Sequence, residues 1–183
     1  MQQLVFVDTE TTGLKPKEGL LLEVAMVIVD ENLRELHAVS STVAWPEQIL
    51  DAAIRGCNER VIQMHKENEL WSEVLGGQGA QVGELDTVLA GWLFEHDCQN
   101  AIFCGRNPAF DRSWVAEFLP KTYALFSHRS VDVTTMVELQ RRWAPVLRGP
   151  APTGVTHRAL NDIRMDLIWL RWARKAMFLP EYR

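Results

Sequence analysis

The alternation of apolar and polar positions predicts that the chain opens with strands. Apolar runs at residues 4–7, 20–29 and 36–43 are short and β-rich, which is typical of strands buried in a sheet. Turn-forming residues separate these runs, first at 11–13 and again at 30–32. We therefore expect the three strands to form an antiparallel meander.

After the meander, the pattern changes to segments with helical spacing. Residues 45–75 have a helical but irregular pattern, and residues 83–95 predict an amphipathic helix whose inward face carries Leu85, Val88, Leu89, Trp92 and Leu93. The remaining pattern predicts strands at 101–104 and 130–133, helices at 108–119, 134–143 and 157–178, and a Gly/Pro loop at 148–154. This order indicates one α/β domain over residues 1–183, with helices packed on a mixed five-stranded sheet of the ribonuclease H-like kind.

Composition supports a globular domain and argues against two other classes of protein. The chain has 183 residues, 47% of them hydrophobic and 23% charged, which is enough for one full core. No apolar run approaches the roughly 18–20 residues that span a bilayer. The first residues also lack the basic region of a signal peptide. We therefore expect a cytoplasmic protein with no membrane partner.

The cysteine pattern shows no sign of a cross-linked or zinc-stabilised fold. Cys57, Cys98 and Cys104 are odd in number and widely spaced, without a C-x-x-C pair. This spacing argues against a disulfide framework or a structural zinc site, and it predicts free thiols or small buried hydrophobic residues.

Charge is divided unevenly along the chain. The net charge of −5 argues against general coating of DNA, but residues 1–100 carry −11 and residues 101–183 carry +6. The second half could attract phosphate groups through its arginines, which include Arg106, Arg112, Arg129, Arg141, Arg142, Arg148, Arg158 and Arg164. An equally good interpretation places each of these arginines on a solvated helix face.

Two acidic residues follow the first predicted strand. Asp8 and Glu10 are separated by one residue, and side chains at i and i+2 of a strand lie on the same face. Two carboxylates held this close repel each other unless a cation neutralises them, and a hard divalent ion with oxygen ligands is the natural partner. The alternative is a solvated strand end, which the D-x-E spacing alone does not exclude.

A third candidate carboxylate lies beyond the fourth predicted strand. Asn107 is a favourable helix N-cap residue and Pro108 suits the first helical position, so Asp111 falls in the first turn of the following helix. Beyond a strand end, this carboxylate could join the first two. The alternative interpretation of Asp111 is an acidic residue that stabilises the N-terminus of its own helix.

The start of the last predicted helix carries a histidine and a fourth carboxylate. Thr156 is a candidate N-cap, which puts His157 at the helix start and Asp162 just over one turn further on. Asp162 lies at the edge of the apolar stripe, so the helix can press this carboxylate against the sheet while His157 stays at the mouth. Taken singly, His157 could be a surface histidine and Asp162 a solvated acid.

Together these segments form one recognisable set. D-x-E near the N-terminus, Phe110-Asp111 in the centre and H-x4-D near the C-terminus resemble, in order and spacing, the DEDDh exonucleases of the DnaQ-like superfamily. Further segments are similar to oligoribonucleases, among them Asp8-Thr9-Glu10-Thr11-Thr12-Gly13-Leu14, Leu22-Glu23-Val24-Ala25, Val131-Asp132-Val133-Thr134-Thr135 and Asp162-Ile163-Arg164. The similarity covers most of the chain and is densest from residue 104 to residue 172.

The resemblance implies a metal-dependent 3′→5′ exonuclease. Its metal ligands would be Asp8, Glu10, Asp111 and Asp162, which together would hold two Mg²⁺ or Mn²⁺ ions. His157 would be the general base that accepts the proton of the attacking water. The implied substrate is short single-stranded RNA, or DNA, with a free 3′ end, and the implied products are nucleoside 5′-monophosphates. We also expect a homodimer.

The resemblance further implies a set of residues that contact the substrate. These residues are Leu14, Thr11, Asn107, Arg129, Thr134 and His65. Leu14 follows a glycine turn and would wedge between the last two bases of the substrate. The alternative for Leu14, an equally good one, is a residue that packs into the core.

At a few positions the chain departs from oligoribonucleases. Gly105-Arg106-Asn107 stands where the family usually has Gly-Asn-Ser, His128 stands for a tyrosine and Arg60 for a tryptophan. The segment that ends at Asp111 is closer to the second motif of proofreading-type DNA exonucleases. A DNA-directed exonuclease is therefore the main alternative. A catalytically inactive nucleic-acid-binding module is more remote, since such a module would need no general base.

Overall fold

A mixed sheet forms the centre of the protein. The computed structural model describes residues 2–150 and 156–178. Its strands are β1 (Leu4–Thr11), β2 (Leu21–Val29), β3 (Glu35–Ala44), β4 (Ala80–Gln81), β5 (Ala101–Gly105) and β6 (Phe126–Asp132). Within these described residues, six strands lie in the order β4-β3-β2-β1-β5-β6.

Helices flank this sheet on both faces. They are α1 (Glu47–Gly56), α2 (Glu59–Glu67), α3 (Leu70–Leu75), α4 (Val82–Glu95), α5 (Pro108–Phe118), α6 (Pro120–Tyr123), α7 (Val133–Trp143) and α8 (Ala159–Met177). A short 3-10 turn spans Pro16–Glu18. The predicted Gly/Pro loop at 148–154 lies outside the described residues from residue 151 onward. In the part of the chain that the structure describes, no helix is both long and apolar enough to cross a membrane.

The first three strands form the antiparallel meander that the sequence predicts. β1 pairs antiparallel with β2, and β2 pairs antiparallel with β3. β5 joins the other side of β1 and β6 joins β5, and both of these pairings are parallel. β1 therefore lies where the sheet changes from antiparallel to parallel pairing.

All five predicted strands are present, and β4 adds a sixth within the described residues. β4 consists of only Ala80 and Gln81, which pair parallel with the end of β3. Two residues are too few to show an alternating pattern, and the glycine-rich segment before them indicates a loop. The sequence pattern therefore predicts five strands where the sheet has six.

Alternation along β1 divides its side chains between two layers of the core. Val5 and Val7 are buried in the layer that α4 and α5 cover, and Phe6 is buried in the layer that α8 covers. Successive side chains of a strand point to opposite faces. The same alternation continues to the end of β1. The side chains of Asp8 and Glu10 therefore lie on the same face of the sheet as Phe6, which is the face that α8 covers.

The irregular helical region of the sequence consists of three short helices. α1 and α2 are separated at Asn58, whose side chain caps α2 by accepting a hydrogen bond from the backbone of Arg60 at 2.9 Å. α2 and α3 are separated near Glu69, which has a left-handed backbone with φ of 64°. These two interruptions explain why no single helical period fits the whole segment.

One correction applies to the predicted inward face of α4. Val88 is 55% exposed, whereas the leucines that recur every four residues are buried as predicted: Leu85, Leu89 and Leu93. The helix is rotated toward Asp86, which is buried and accepts two backbone hydrogen bonds from the start of α6. Apolar spacing could not reveal this polar contact, because its partner lies on another helix.

Helix starts need two further corrections. Thr156 does not cap α8, because the helix begins at Ala159 with Arg158 at the N-cap position. The carboxylate of Glu23 on β2 accepts the hydrogen bond of the Ala159 N–H at 3.1 Å and supplies the cap instead. Asn107 precedes α5 as predicted, but its backbone is left-handed and its side chain makes no capping hydrogen bond.

The three cysteines are free thiols, as the sequence predicts. Cys98 and Cys104 are buried in the core, and burial raises the pKa of Cys98 to about 11 and that of Cys104 to about 12. The Cys57 thiol is partly buried and donates to the carbonyl oxygen of Thr12 at 3.2 Å. Cys98 and Cys104 therefore behave as small hydrophobic residues near neutral pH.

Gly105 occupies a point where β5 closely approaches β1. A Cβ atom added at this position would lie 2.8 Å from the carbonyl oxygen of Val7, a backbone atom that can move only if β1 moves. We expect Gly105→Ala to lower the free energy of unfolding by about 1–3 kcal/mol, as overpacking does. Urea denaturation followed by circular dichroism measures the change.

Gly91→Ala is the matched control for this variant. Gly91 lies inside α4, and a Cβ atom there would meet nothing within 4 Å. Because alanine is favoured over glycine inside a helix, this variant should gain roughly 0.5–1 kcal/mol. Equal stability of the two variants would contradict the close approach of β5 to β1.

Candidate active site

The carboxylates of Asp8 and Glu10 lie at the end of β1, beside the loop that follows β5. β1 and β5 run parallel, with Phe6 opposite Cys104, so the residues that follow these positions meet at one edge of the sheet. Glu10 is 7% exposed and Asp8 is partly buried. The carboxylates of β1 are therefore largely removed from water.

Asp111 is held against β1 by Thr9. Its Oδ1 atom accepts hydrogen bonds from the backbone N–H of Thr9 at 2.9 Å and from the Thr9 hydroxyl at 2.7 Å. These bonds fix the first turn of α5 beside β1. They do not involve the second carboxylate oxygen of Asp111. The sequence predicts no role for Thr9, because its partner lies 102 residues away.

The start of α8 brings Asp162 and His157 to the same place. One side-chain ligand atom from each of Glu10, His157 and Asp162 lies within 4.8 Å of the other two. The Oδ1 atom of Asp162 is buried and has no hydrogen-bond partner among the described residues. A buried carboxylate oxygen without a partner is costly, so this atom suits a position next to a cation.

Burial and mutual repulsion raise the pKa of the carboxyl groups in this cluster. Burial, followed by the charges of Asp111 and Glu10, raises the pKa of Asp8 well above its usual range. Burial and the charge of Asp162 raise the pKa of Glu10 to about 9, and burial raises the pKa of Asp111 to about 7. Burial also raises the pKa of Asp162. The cluster thus lacks positive charge, which a divalent cation would supply.

Two arginines near the cluster are occupied by other carboxylates. Arg158 binds Glu23 and Glu73, and Arg106 donates through Nε to Asp166 at 2.9 Å. Arg106 and Arg158 are among the arginines whose charge, according to the sequence, could attract phosphate groups. Their ion pairs with carboxylates favour a structural role for both instead. Glu23 and Asp166 are buried, and the sequence gives no signal for either, because their partners are distant in the chain.

A groove beside the carboxylates contains two of the predicted substrate contacts. Leu14 is 85% exposed, so the alternative of a core residue is wrong. Leu14 and Thr11 line a groove of about 740 Å³ together with Glu10, Met64 and Phe110. The apolar side chains offer contact surface to a nucleobase. Glu10 connects the groove with the carboxylate cluster.

His65 lies beneath this groove and not in it. Its side chain is fully buried, and its Nε2 donates to the carbonyl oxygen of Thr11 at 3.1 Å and lies 3.9 Å from Glu10 Oε2. The ring packs edge-on against Trp71, and burial lowers the pKa of His65, which favours the neutral ring. The prediction of direct substrate contact needs correction, because packing of α2 on α3 encloses the ring. His65 instead holds the Thr11 carbonyl group from behind the groove.

Asn107 and Thr134 meet at the carboxyl end of β6. Oδ1 of Asp132 accepts hydrogen bonds from the backbone N–H of Asn107 at 3.1 Å and from that of Thr134 at 2.8 Å. Arg129 lies further back on β6 with an exposed side chain, and no hydrogen bond or ion pair within residues 2–150 and 156–178 joins it to the carboxylate cluster. Asp132 was not predicted, although an aspartate directly before a helix is a recognisable capping signal.

The groove continues toward His157. A second cavity of about 470 Å³ has Arg60, Met64, Asn68 and His157 among its lining residues. Arg60 and Met64 also line the first groove, so the two spaces adjoin. His157 is exposed to this space and lies at the end of a path that begins at Leu14.

The sequence is similar to known nucleases along almost its whole length. It matches the family model described as Exonuclease (RNase_T) over residues 5–170. It is 36% identical to an oligoribonuclease of Streptomyces griseus, in an alignment that covers 98% of this chain and 88% of that protein. It is 32% identical to an oligoribonuclease of Mycobacterium tuberculosis (strain CDC 1551 / Oshkosh), with coverage of 98% and 83%. An oligoribonuclease of Tropheryma whipplei (strain Twist) is 31% identical, with coverage of 94% and 91%.

Solved structures with the same fold include exonuclease I proteins. Exonuclease I from Methylocaldum szegediense superposes with a TM-score of 0.73 at 17% identity, covering 97% of this chain and 41% of that chain. The zinc-bound complex of E. coli exonuclease I with single-stranded DNA superposes with a TM-score of 0.74 at 12% identity, with the same coverage of 97% and 41%. The chain thus spans about two fifths of the length of these proteins. The likeness confirms the ribonuclease H-like fold that the sequence predicts.

The raised pKa values predict that the metal-free protein loses stability as pH rises. The pKa of Glu10 in the folded protein, about 9, lies above the ordinary value of 4.5, so the folded state keeps a proton that the unfolded chain releases. This contribution is fully present below pH 4.5 and is lost as pH rises toward about 9. We expect the melting temperature in EDTA to fall across this window, as measured by differential scanning fluorimetry.

Glu10→Gln and Glu18→Gln test the origin of this slope. Glu10→Gln removes one of the titrating groups and should make the fall of the melting temperature with pH shallower, while the raised pKa values of Asp8, Asp111 and Asp162 leave a residual slope. Glu18 is exposed beyond the end of β1, so Glu18→Gln should leave the slope unchanged. Added Mn²⁺ should stabilise the unmodified protein most at alkaline pH, where the carboxylates are charged. A melting temperature that rises with pH in EDTA would be incompatible with the raised pKa of Glu10.

Proposed function

The chain belongs to the exonuclease family and, within it, to the oligoribonucleases, and on this premise we propose that it degrades short RNA from the 3′ end to nucleoside 5′-monophosphates. It is a nuclease, which hydrolyses phosphodiester bonds. One observation carries the proposal: Glu10, Asp162 and His157 converge within 4.8 Å beside a groove that can accept a nucleotide chain.

The residues of this site fit divalent metal ions. Enzymes of the family are metal-dependent, and the carboxylate oxygens gathered here are the ligands that Mg²⁺ and Mn²⁺ prefer. The buried, unpartnered Oδ1 of Asp162 and the raised pKa of Glu10 support this fit. We propose that Asp8, Glu10 and Asp162 hold one ion and that Asp8 and Asp111 hold a second. When bound, two such ions stabilise the attacking and leaving oxygens of the reaction.

In the proposed reaction, His157 is the general base. Its side chain is exposed at the mouth of the site, whereas Glu10 and Asp162 lie deeper. Because hard divalent ions prefer oxygen ligands, His157 is left to accept the proton of the attacking water. The bond between phosphorus and the 3′ oxygen of the preceding nucleotide then breaks, and that oxygen takes up a proton. The released nucleotide keeps its 5′-phosphate.

The groove supports a preference for the end of a single strand. Leu14, Met64 and Phe110 offer apolar contacts to the terminal bases, and the 85% exposure of Leu14 supports its proposed role as a wedge. Thr11 lies between this apolar surface and the carboxylates. The remaining proposed contacts come from the β5–β6 side of the sheet, and they are Asn107, Arg129 and Thr134.

Digestion of 5′-labelled RNA and DNA of graded length, in Mn²⁺, tests the proposed function. Shortened products should keep the 5′ label, because attack starts at the free 3′ end, and a 3′-phosphate should block the reaction. Excess EDTA should abolish it. RNA should be degraded faster than DNA of the same length, as resolved on denaturing gels. The opposite preference would favour the DNA-directed alternative. Release of the 5′ label in the first turnover, on a substrate longer than a dinucleotide, would rule out the proposed polarity.

Variants of the site residues complete this test. Asp162→Asn should abolish hydrolysis, and His157→Asn should lower kcat by about 10²–10⁴-fold without changing the metal requirement, because a general base contributes an effect of this size. His37→Asn is the matched control, since His37 is an exposed histidine on β3 that contacts His96 and not the carboxylate cluster. Wild-type turnover in His157→Asn would exclude the proposed base.

We also propose that the chain acts as a single exonuclease domain over residues 1–183 and that it forms a homodimer. Trp143 and Val146, at and just after the end of α7, are large apolar residues that are 74% and 85% exposed, and we propose that they lie in the interface between the two chains. Size-exclusion chromatography with light scattering should give the mass of two chains. Trp143→Ser should shift the protein toward one chain. A monomeric wild-type protein with full activity would remove the basis for the dimer.

A further inference from the structure

Arg158, the residue that follows His157, is held by two glutamates. Its Nη1 and Nη2 donate to the two carboxylate oxygens of Glu73, both at 2.8 Å, and its Nε and Nη2 donate to Glu23 at 3.1 and 3.2 Å. Nη1 also lies 3.4 Å from the carbonyl oxygen of Asn68. A planar guanidinium that uses its donors in this way has a fixed position and orientation.

Glu23 connects this ion-pair network to both the helix and the strand of the active site. It is 3% exposed, and its Oε2 also accepts the backbone N–H of Ala159, the first residue of α8, at 3.1 Å. Within the sheet, Glu23 lies directly opposite Glu10, and opposed residues of an antiparallel pair have side chains on the same face. The positive charge of Arg158 neutralises Glu23. Of the two opposed carboxylates, Glu10 and Glu23, one is therefore neutralised by a side chain of the protein.

The backbone of His157 is held on its other side by Asn68. The Asn68 side chain donates through Nδ2 to the carbonyl oxygen of His157 and accepts, through Oδ1, the N–H of Leu70 at 3.0 Å. His157 has a φ of 48°, in the left-handed region that residues other than glycine adopt uncommonly. Because such a conformation costs free energy, it persists only where surrounding contacts hold it.

We propose that Arg158 is a positioning residue, whose ion pairs with Glu73 and Glu23 place the His157 side chain for proton transfer. This inference rests on the proposed function, because it assigns what holds the general base. Arg158 acts through the backbone: its side chain fixes the chain directly after His157, while Asn68 fixes the His157 carbonyl group. Without the ion pairs, the exposed His157 ring is free to leave the vicinity of Glu10 and Asp162.

Glu73→Ala and Arg158→Lys are the informative variants. Arg158→Ala would leave Glu23 buried and unpaired, which can unfold the protein. Glu73→Ala removes one carboxylate while Glu23 keeps its partner, and Arg158→Lys keeps the positive charge but loses the planar fork. We expect kcat on short RNA to fall by about 10–10²-fold in each variant with KM nearly unchanged, because misplacing a catalytic group by about 1 Å has effects of this size.

Glu35→Ala is the matched control. Glu35 has the same 31% side-chain exposure as Glu73 and binds an arginine of α8 in the same forked manner, since Arg164 donates to its two oxygens at 3.0 and 2.8 Å. This pair does not adjoin His157. Its loss should lower the melting temperature about as much as Glu73→Ala does, with kcat unchanged. A merely structural role for Arg158 would instead make the two variants indistinguishable in kcat.

A double-mutant cycle with His157→Asn identifies the residue through which Arg158 acts. Under single-turnover conditions, adding Glu73→Ala to His157→Asn should change the rate by less than about twofold, since the base is already absent. An undiminished loss in the His157→Asn background would overturn the proposal, as would wild-type kcat in both Glu73→Ala and Arg158→Lys. Absence of hydrolysis by the unmodified chain would instead overturn the proposed function, so the two failures are distinguishable.

Discussion

Burial of several carboxylates together at one edge of the sheet, with the repulsion between them, is the constraint around which the site is arranged. Burial is the largest cause of a raised pKa in each of four acidic residues, which are Asp8, Glu10, Asp111 and Asp162. The acidic residues around them have protein partners, since Glu23 binds Arg158 and Asp166 binds Arg106. Arginines thus neutralise the acidic residues at the periphery of the site. The four carboxylates at its centre remain able to bind cations, which an arginine in the same place would prevent.

The topology of the sheet explains why these residues meet. β1 pairs antiparallel with β2 on one side and parallel with β5 on the other, and ligand sites in such sheets lie beyond the carboxyl ends of parallel strands, where the strand order changes. The meander side contributes Glu23 and, through α2, the buried His65. The parallel side contributes Asp111 and Asp132 from the segments after β5 and at the end of β6. The candidate active site therefore contains residues from both halves of the sheet.

Local patterns predicted the strands and the shared face of Asp8 and Glu10, and the family resemblance predicted the distant grouping of Glu10 with His157 and Asp162. Contacts with a distant partner that belong to no recognised motif were not predictable. The two-residue spacing predicted one face for Asp8 and Glu10, and the strands of the meander followed from local alternation. Thr156 was expected to cap α8, whereas the actual cap comes from Glu23, 136 residues before Ala159. His65 was expected to contact the substrate, but its burial follows only from the packing of α2 against α3. The pairing of Thr9 with Asp111 has the same origin.

Alternation along β1 also limits how this protein can change during evolution. The register with β2 sets Asp8 opposite Ala25 and Glu10 opposite Glu23, while Thr9 faces the opposite side of the sheet. One residue inserted into or deleted from β1 ahead of Asp8 would exchange the two faces, because the side-chain period of a strand is two. Both carboxylates would then turn away from α8, which carries Asp162 and directly follows His157 and Arg158. Such a change in residue number could be tolerated only if a β-bulge or a second insertion or deletion restored the alternation before Asp8.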